Sequence, residues 1–305
     1  MAAGAIPGPI GVSVDGGSTW SISGAPSGNW ISIDMSLTGS RMVAVQYLGG
    51  MYRSTDSGAT WSPVSGGALA TTNREYESIT TSTDGLRIAA AIMNGEIQVS
   101  SDGGATWTAA RAAGTPAGGA ALVDQFRAID SSADGLVVAA ATQNGRLYVS
   151  TDGGATFTLR SVAVAGSPVA DGWYRVAVSQ DGNTIALAGN FVYTTTSTGI
   201  YVSRDRGATW TRGSTGGRTH SSISLSANGD VIGVTVSDDG AGGPGQVLVS
   251  TNGGLSFAPA TTPAGETNWR AIAISGTANR AVLASGTFAT RNGNVYVSGS
   301  GLVGP

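Results

Sequence analysis

Ser100-Ser-Asp102-Gly-Gly104-Ala-Thr106-Trp107 is followed, fifty residues on, by Ser150-Thr-Asp152-Gly-Gly154-Ala-Thr156-Phe157. The same eight-residue pattern also occurs as Ser13-Val-Asp15-Gly-Gly17-Ser-Thr19-Trp20 and Ser54-Thr-Asp56-Ser-Gly58-Ala-Thr60-Trp61. It closes with Ser203-Arg-Asp205-Arg-Gly207-Ala-Thr209-Trp210 and Ser250-Thr-Asn252-Gly-Gly254-Leu-Ser256-Phe257. The acidic (or Asn) positions are 41, 46, 50, 53 and 47 residues apart. A period of this length is that of a four-stranded β blade.

A second motif keeps its own register between these copies. A large ring is followed three residues later by an aliphatic residue and three later again by Ser: Trp30/Ile33/Ser36, Tyr76/Ile79/Ser82, Phe126/Ile129/Ser132, Trp173/Val176/Ser179, His220/Ile223/Ser226 and Trp269/Ile272/Ser275. Turn residues follow, as in Thr83-Asp84-Gly85. An apolar run comes next, as in Ile88 to Ile92, and then a hairpin signal such as Asn94-Gly95. Each repeat therefore reads as strands A, B, C and D in order, with the Ser-x-Asp turn between C and D. No segment of ten or more residues has a helical period. The fold expected is all-β, a β-propeller of six four-stranded blades in one domain, residues 1–305.

The turn has a physical reason. A tight C-to-D connection strands backbone N–H groups, an Asp side chain accepts them, and Gly supplies the positive φ. Repetition in equivalent positions marks Asp15, Asp56, Asp102, Asp152, Asp205 and Asn252 as structural fasteners rather than metal ligands or catalysts.

Ser-x-Asp-x-Gly-x-Thr-Trp resembles the Asp-box, or bacterial neuraminidase repeat. The chain is similar in this to the sialidase-like and photosystem-assembly-factor-like group of propellers, over nearly its whole length. The resemblance implies that the boxes lie at the periphery and that ligands meet the face carrying the D-to-A linkers and B-to-C loops. Sialidases, xyloglucan-cleaving hydrolases, sorting receptors and assembly factors share the motif, so it speaks to fold more than to activity.

The six repeats do not close evenly. The last has strands A, B and C over residues 267–299 but no box after them, whereas the first box has no strands A or B before it. The expectation is that residues 10–23 complete the last blade. Gly11 to Val14 and Val295 to Ser298 then compete for the strand C place, and one of them is left to form an extra strand or to pair with a neighbouring molecule.

Composition narrows the function. The 305 residues carry a net charge of −3 with 11% charged residues, which gives no basic field for nucleic acid. All 16 cations are Arg, there is no Cys, and one His excludes a His-rich metal centre. Neither a metal nor a cofactor is expected. No run approaches the roughly 20 apolar residues of a membrane-spanning helix. Met1 to Ile10 has no basic start and does not read as a signal peptide, although a secreted or cell-surface place is favoured.

The start of each strand A is expected near the channel mouth, offering Trp30, Tyr76, Phe126, Trp173, His220 and Trp269, with Arg127 and Arg270, as ligand contacts. Aromatic faces and guanidinium groups there suit sugars or carboxylates. The bland alternative is that the rings are packing between blades and the Arg groups are paired. The long B-to-C loops of repeats four to six, Asn190 to Gly199, Ser237 to Gly245 and Gly286 to Gly293, add Phe191, Tyr193, Asp238, Asp239, Phe288 and Arg291. The leading expectation is a non-catalytic propeller binding a glycan or a protein partner at the channel mouth. A sialidase-like glycoside hydrolase is the alternative, with Arg127, Arg175, Arg270, Tyr174 and Glu77 as its cast. Register opposes a tidy triad of Arg, because Arg175 lies one residue later in its strand than Arg127 and Arg270 do in theirs. A structural repeat protein of a surface or assembly is the third reading.

Overall fold

The computed structural model describes residues 1–64, 74–169, 172–189, 199–213, 220–236, 244–286 and 293–298. Every regular element among them is a β-strand. The chain divides into two compact units, residues 1–140 with 148–159, and residues 141–147 with 160–305.

In the second unit, repeats four and five are antiparallel meanders of four strands. Trp173–Val178, Ile185–Gly189, Ile200–Ser203 and Thr211–Gly213 pair in chain order, as do His220–Leu225, Ile232–Val236, Gln246–Ser250 and Ala258–Pro259. Their second strands are buried at every residue, which is why they read as unbroken apolar runs. Repeat six forms three paired strands among the described residues, Trp269–Ile274, Ala281–Gly286 and Gly293–Val297.

The first unit departs from uniform four-stranded blades. Strand B of repeat one, Met42–Gly49, runs past its own sheet, and Tyr47 and Gly49 pair with Glu75 and Arg74 at the start of Arg74–Thr81. Repeats one and two thus share one hydrogen-bonded sheet. Repeat three gains a fifth strand, because Arg111–Ala112 pairs in parallel with Thr156–Arg160. Before the first box, Ala2–Gly4 pairs with Ile10–Val12, which pairs with Ser21–Ile22. Ile10 and Val12 pack on Trp30, Met42 and Ala44 of repeat one.

The Ser-x-Asp turns repeat one geometry. In the third copy Ser100 Oγ donates to Asp102 Oδ1 at 2.8 Å and accepts Gly104 N–H at 2.9 Å. Asp102 also accepts Thr106 N–H at 2.9 Å and the Thr106 hydroxyl at 2.5 Å, and Trp107 Nε1 donates to the Gly104 carbonyl at 3.1 Å. These donors favour the ionised carboxylate, so Asp102 sits well below the ordinary range and Asp15, held the same way by Thr19 and Ser13, falls to about 2. In the last copy Asn252 keeps the pattern with an amide: Oδ1 accepts Ser256 N–H at 3.0 Å while Nδ2 donates to the Ser256 hydroxyl at 2.8 Å.

Neighbouring repeats are tied by their A-to-B turns. Leu37 N–H donates to Thr83 O and Thr83 N–H to Ala133 O, both at 2.8 Å; in the second unit Asp181 N–H reaches Ala227 O and Ala227 N–H reaches Gly276 O. The box glycines press on the strand C residue that precedes the box serine one repeat earlier. A methyl group on Gly58 would lie 2.9 Å from Val12 Cγ2, on Gly154 2.7 Å from Val99 Cγ1, and on Gly254 2.5 Å from Val202 Cγ2. Only glycine permits that approach at positive φ.

Candidate functional site at the start of the inner strands

Each strand A begins with its large ring turned inward. Trp30, Tyr76, Phe126, Trp173, His220 and Trp269 are all 0–2% exposed. Four of them meet a tyrosine of strand C edge-on: Trp30 with Tyr52 at 5.3 Å, Phe126 with Tyr148 at 5.9 Å, Trp173 with Tyr201 at 5.4 Å and Trp269 with Tyr296 at 5.6 Å between centroids. The rings offered by the sequence as ligand contacts are core side chains here, and their faces are taken by protein. Burial also pushes the Tyr76 phenol up to about 12.

Immediately after the ring the strand is irregular. The register shifts between Trp30 and Ser32, Tyr76 and Ser78, Trp173 and Arg175, His220 and Ser222, and Trp269 and Ala271. A β-bulge at this one place sets Ile31, Glu77, Tyr174, Ser221 and Arg270 outside the regular ladder. Repeat four thus has the irregularity that could realign its Arg175, but repeat six has it as well, so the one-residue offset between Arg175 and Arg270 persists.

The arginines of the expected clamp are each engaged close to home. In the first unit Arg127 Nη1 lies 3.0 Å from Glu77 Oε1, so the candidate carboxylate neutralises the candidate clamp. In the second unit Arg175 donates from Nε to Ser221 O at 2.8 Å and from Nη1 to Tyr174 O at 3.0 Å, with its guanidinium carbon 4.0 Å from the centre of the Tyr174 ring. Arg270 donates from Nε to Gly286 O at 3.0 Å. Two further carboxylates near the same strand ends hold tyrosine hydroxyls: Asp124 accepts Tyr148 at 2.8 Å and Glu266 accepts Tyr296 at 2.7 Å. Of the loop residues the sequence offered, 191, 193, 238, 239, 288 and 291 lie outside the described residues.

Two features escaped sequence reading. The first is an apolar group at one end of repeat one, where Ile31, Tyr47 and Leu48 are 36%, 38% and 48% exposed. Tyr47 lies opposite Glu75 in the ladder, beside the ion pair Arg74–Glu96. The over-long strand B that presents Tyr47 and Leu48 was legible only as an apolar run.

The second is Asp34, midway along its strand A. It accepts Thr81 N–H at 2.7 Å and Met35 N–H at 2.8 Å, yet loss of solvent outweighs these donors and raises it to about 6. Because the folded value lies above the ordinary 3.8, its contribution to stability is complete below about pH 4 and is lost as pH rises through about 6. The stability advantage of the wild type over Asp34→Asn should therefore shrink between those pH values, as read from denaturant midpoints across the range. A constant difference would show that folding leaves Asp34 at its ordinary value.

No family model and no curated protein matches the sequence. Solved structures do. The GH74 xyloglucanase from Xanthomonas campestris aligns with 92% of this chain and 45% of its own at 17% identity and a TM-score of 0.64. The Dos1 propeller aligns with 85% of this chain and 66% of its own at 10% identity and a TM-score of 0.59. YCF48 from Cyanidioschyzon merolae aligns with 86% and 94% at 15% identity and a TM-score of 0.50. The chain spans less than half the length of the GH74 enzymes it matches, 36% to 45% of them. At such identities the likeness is one of architecture, and it makes the fold of this all-β chain that of a β-propeller.

Proposed function

We propose that the protein is a non-catalytic β-propeller binding module fastened by Asp-box turns, and that its ligand is a protein. The observation that carries this reading is the exposed group Ile31, Tyr47 and Leu48, rimmed by Glu75 and the Arg74–Glu96 pair. An aromatic and aliphatic centre with a charged margin is the make-up of a protein-binding patch. Catalysis fits the same strand ends poorly. A sialidase-like site would hold a substrate carboxylate with guanidinium groups and keep a tyrosine ready as nucleophile. Here Glu77 occupies Arg127, and Arg175 lies over Tyr174.

The test has three arms. The pure protein is incubated with a fluorogenic sialoside and a panel of neutral glycosides, applied to a glycan array, and immobilised for affinity capture beside the double variant Ile31→Asp/Tyr47→Asp. We expect no turnover, no array signal, and a protein retained by the wild type that the double variant releases at unchanged thermal stability. Array binding would replace the protein ligand with a glycan. Turnover that disappears in Arg270→Ala would replace the whole reading with a glycoside hydrolase.

A further inference from the structure

Asn-Gly occurs five times in the chain, with its asparagine at 94, 144, 228, 252 and 292. The pair matters chemically because glycine has no Cβ to keep its backbone nitrogen away from the amide carbon of the residue before it. Asn292 lies outside the described residues. The other four asparagines are all exposed, so access to water does not tell them apart. Their hydrogen bonds do.

Three of the four are held at both reacting groups. Asn144 Oδ1 accepts the Thr142 hydroxyl at 2.5 Å, and Gly145 N–H donates to Thr142 O at 3.2 Å. Asn228 Oδ1 accepts the Ser226 hydroxyl at 3.1 Å, its Nδ2 donates to Asp230 Oδ2 at 2.6 Å, and Gly229 N–H donates to Ser226 O at 3.0 Å. Asn252 is held by Ser250 and Ser256 in the last box, and Gly253 N–H donates to Asp230 O at 2.9 Å. Asn94 differs: its side chain has no hydrogen-bond partner among the described residues. It stands at the hairpin tip between strands Ile88–Ile92 and Gly95–Ser100, with a φ of 51°. Gly95 is the first residue of its ladder, and ladder ends open most readily.

We infer that Asn94 is a site of spontaneous covalent modification, deamidation through a cyclic imide, and that the fold selects it among the four described Asn-Gly pairs. The Gly95 backbone nitrogen gives up its proton and attacks Asn94 Cγ. The new N–Cγ bond replaces the Cγ–Nδ2 bond, and ammonia leaves with the proton. Water then opens the imide at either carbonyl. One opening leaves aspartate at position 94, and the other leaves isoaspartate, in which the main chain runs through the former side chain. Either product adds a negative charge two positions before Glu96. Isoaspartate also inserts a methylene into the backbone just ahead of the ladder in which Gly95 pairs with Asp124 and Glu96 with Val123. That ladder fastens the segment whose Asp124 holds the Tyr148 hydroxyl at 2.8 Å, so the modification loosens the link between repeats two and three.

The test ages the folded full chain at neutral and at mildly alkaline pH and follows each Asn-Gly peptide by mass spectrometry, with electron-transfer fragmentation to tell isoaspartate from aspartate. Position 94 should convert about tenfold faster than 144, 228 and 252, each of which must first break the hydrogen bonds that hold it. Isoaspartate should be the larger product. In guanidinium chloride the four should convert at similar rates. The variant Asn94→Gly keeps a residue suited to positive φ and has no amide to close. It should hold its melting temperature through the ageing that lowers the wild type's.

Equal rates at the four positions of the folded chain would overturn the inference. A lead of Asn94 that persisted in guanidinium chloride would overturn it too, since the selection would then lie in the local sequence and not in the fold. Conversion at 94 with no change in melting temperature would overturn the loosening of the ladder.

Discussion

Trp173→Ala should lower the free energy of unfolding by about 3–5 kcal/mol, the cost of deleting a large aromatic side chain from a packed interior. Trp173 is 1% exposed and stands edge-on to Tyr201 at 5.4 Å and 74°. The substitution removes both the apolar burial and an aromatic pair worth about 0.5–1.5 kcal/mol beyond it. Trp173→Phe should recover most of the loss, since the ring contact survives. Urea denaturation of the three proteins measures this. If the alanine variant were as stable as the wild type but bound its ligand more weakly, the ring would belong to a binding surface after all, and the same conclusion would extend to Trp30 and Trp269.

A loss of similar size, roughly 3–5 kcal/mol, is expected for Gly254→Val, as a left-handed backbone cost is added to an overpacked contact. Gly254 has a φ of 89°, and a Cβ there would lie 2.5 Å from Val202 Cγ2 and 3.2 Å from Ile232 Cδ1. The two costs separate experimentally. Gly254→Val in a Val202→Ala background relieves the crowding but leaves the backbone strain, so the double variant should be more stable than the sum of the single losses predicts. Strict additivity would mean that Val202 is not what the new side chain strikes.

The repeat and its strand order were legible in the sequence because they rest on strong local signals: a ring three residues before an aliphatic, a turn of Asp and Gly, and an apolar run with Asn-Gly after it. The pairings that broke the regular scheme were not legible. Ala2–Gly4 and Arg111–Ala112 are two or three residues long and have no period to detect. Tyr47 and Gly49 reach Glu75 and Arg74 through a strand whose end no residue pattern marks. For the site, the sequence placed the rings and the arginines near the starts of their strands, where the structure has them, but could not say which way they face. Alternation along a strand distinguishes two faces and not core from mouth. The bulge after five of the rings also shifts the alternation by one, and Arg127 meets the bulged Glu77 in a pairing that spans 50 residues of chain.

That bulge has a practical consequence. In five of the inner strands one residue is extruded at the same point: Ile, Glu, Tyr, Ser and Arg at 31, 77, 174, 221 and 270. The ring before each is fixed by the core and the residue after rejoins the ladder, so the extruded position is the one whose chemistry differs most from strand to strand. Nature has already filled it with aliphatic, acidic, aromatic, hydroxyl and basic side chains. A library randomised at codons 31, 174 and 270 would vary the surface without touching the interior, whereas Ser221 is buried and hydrogen-bonded to Thr235 and Trp269 and would be kept.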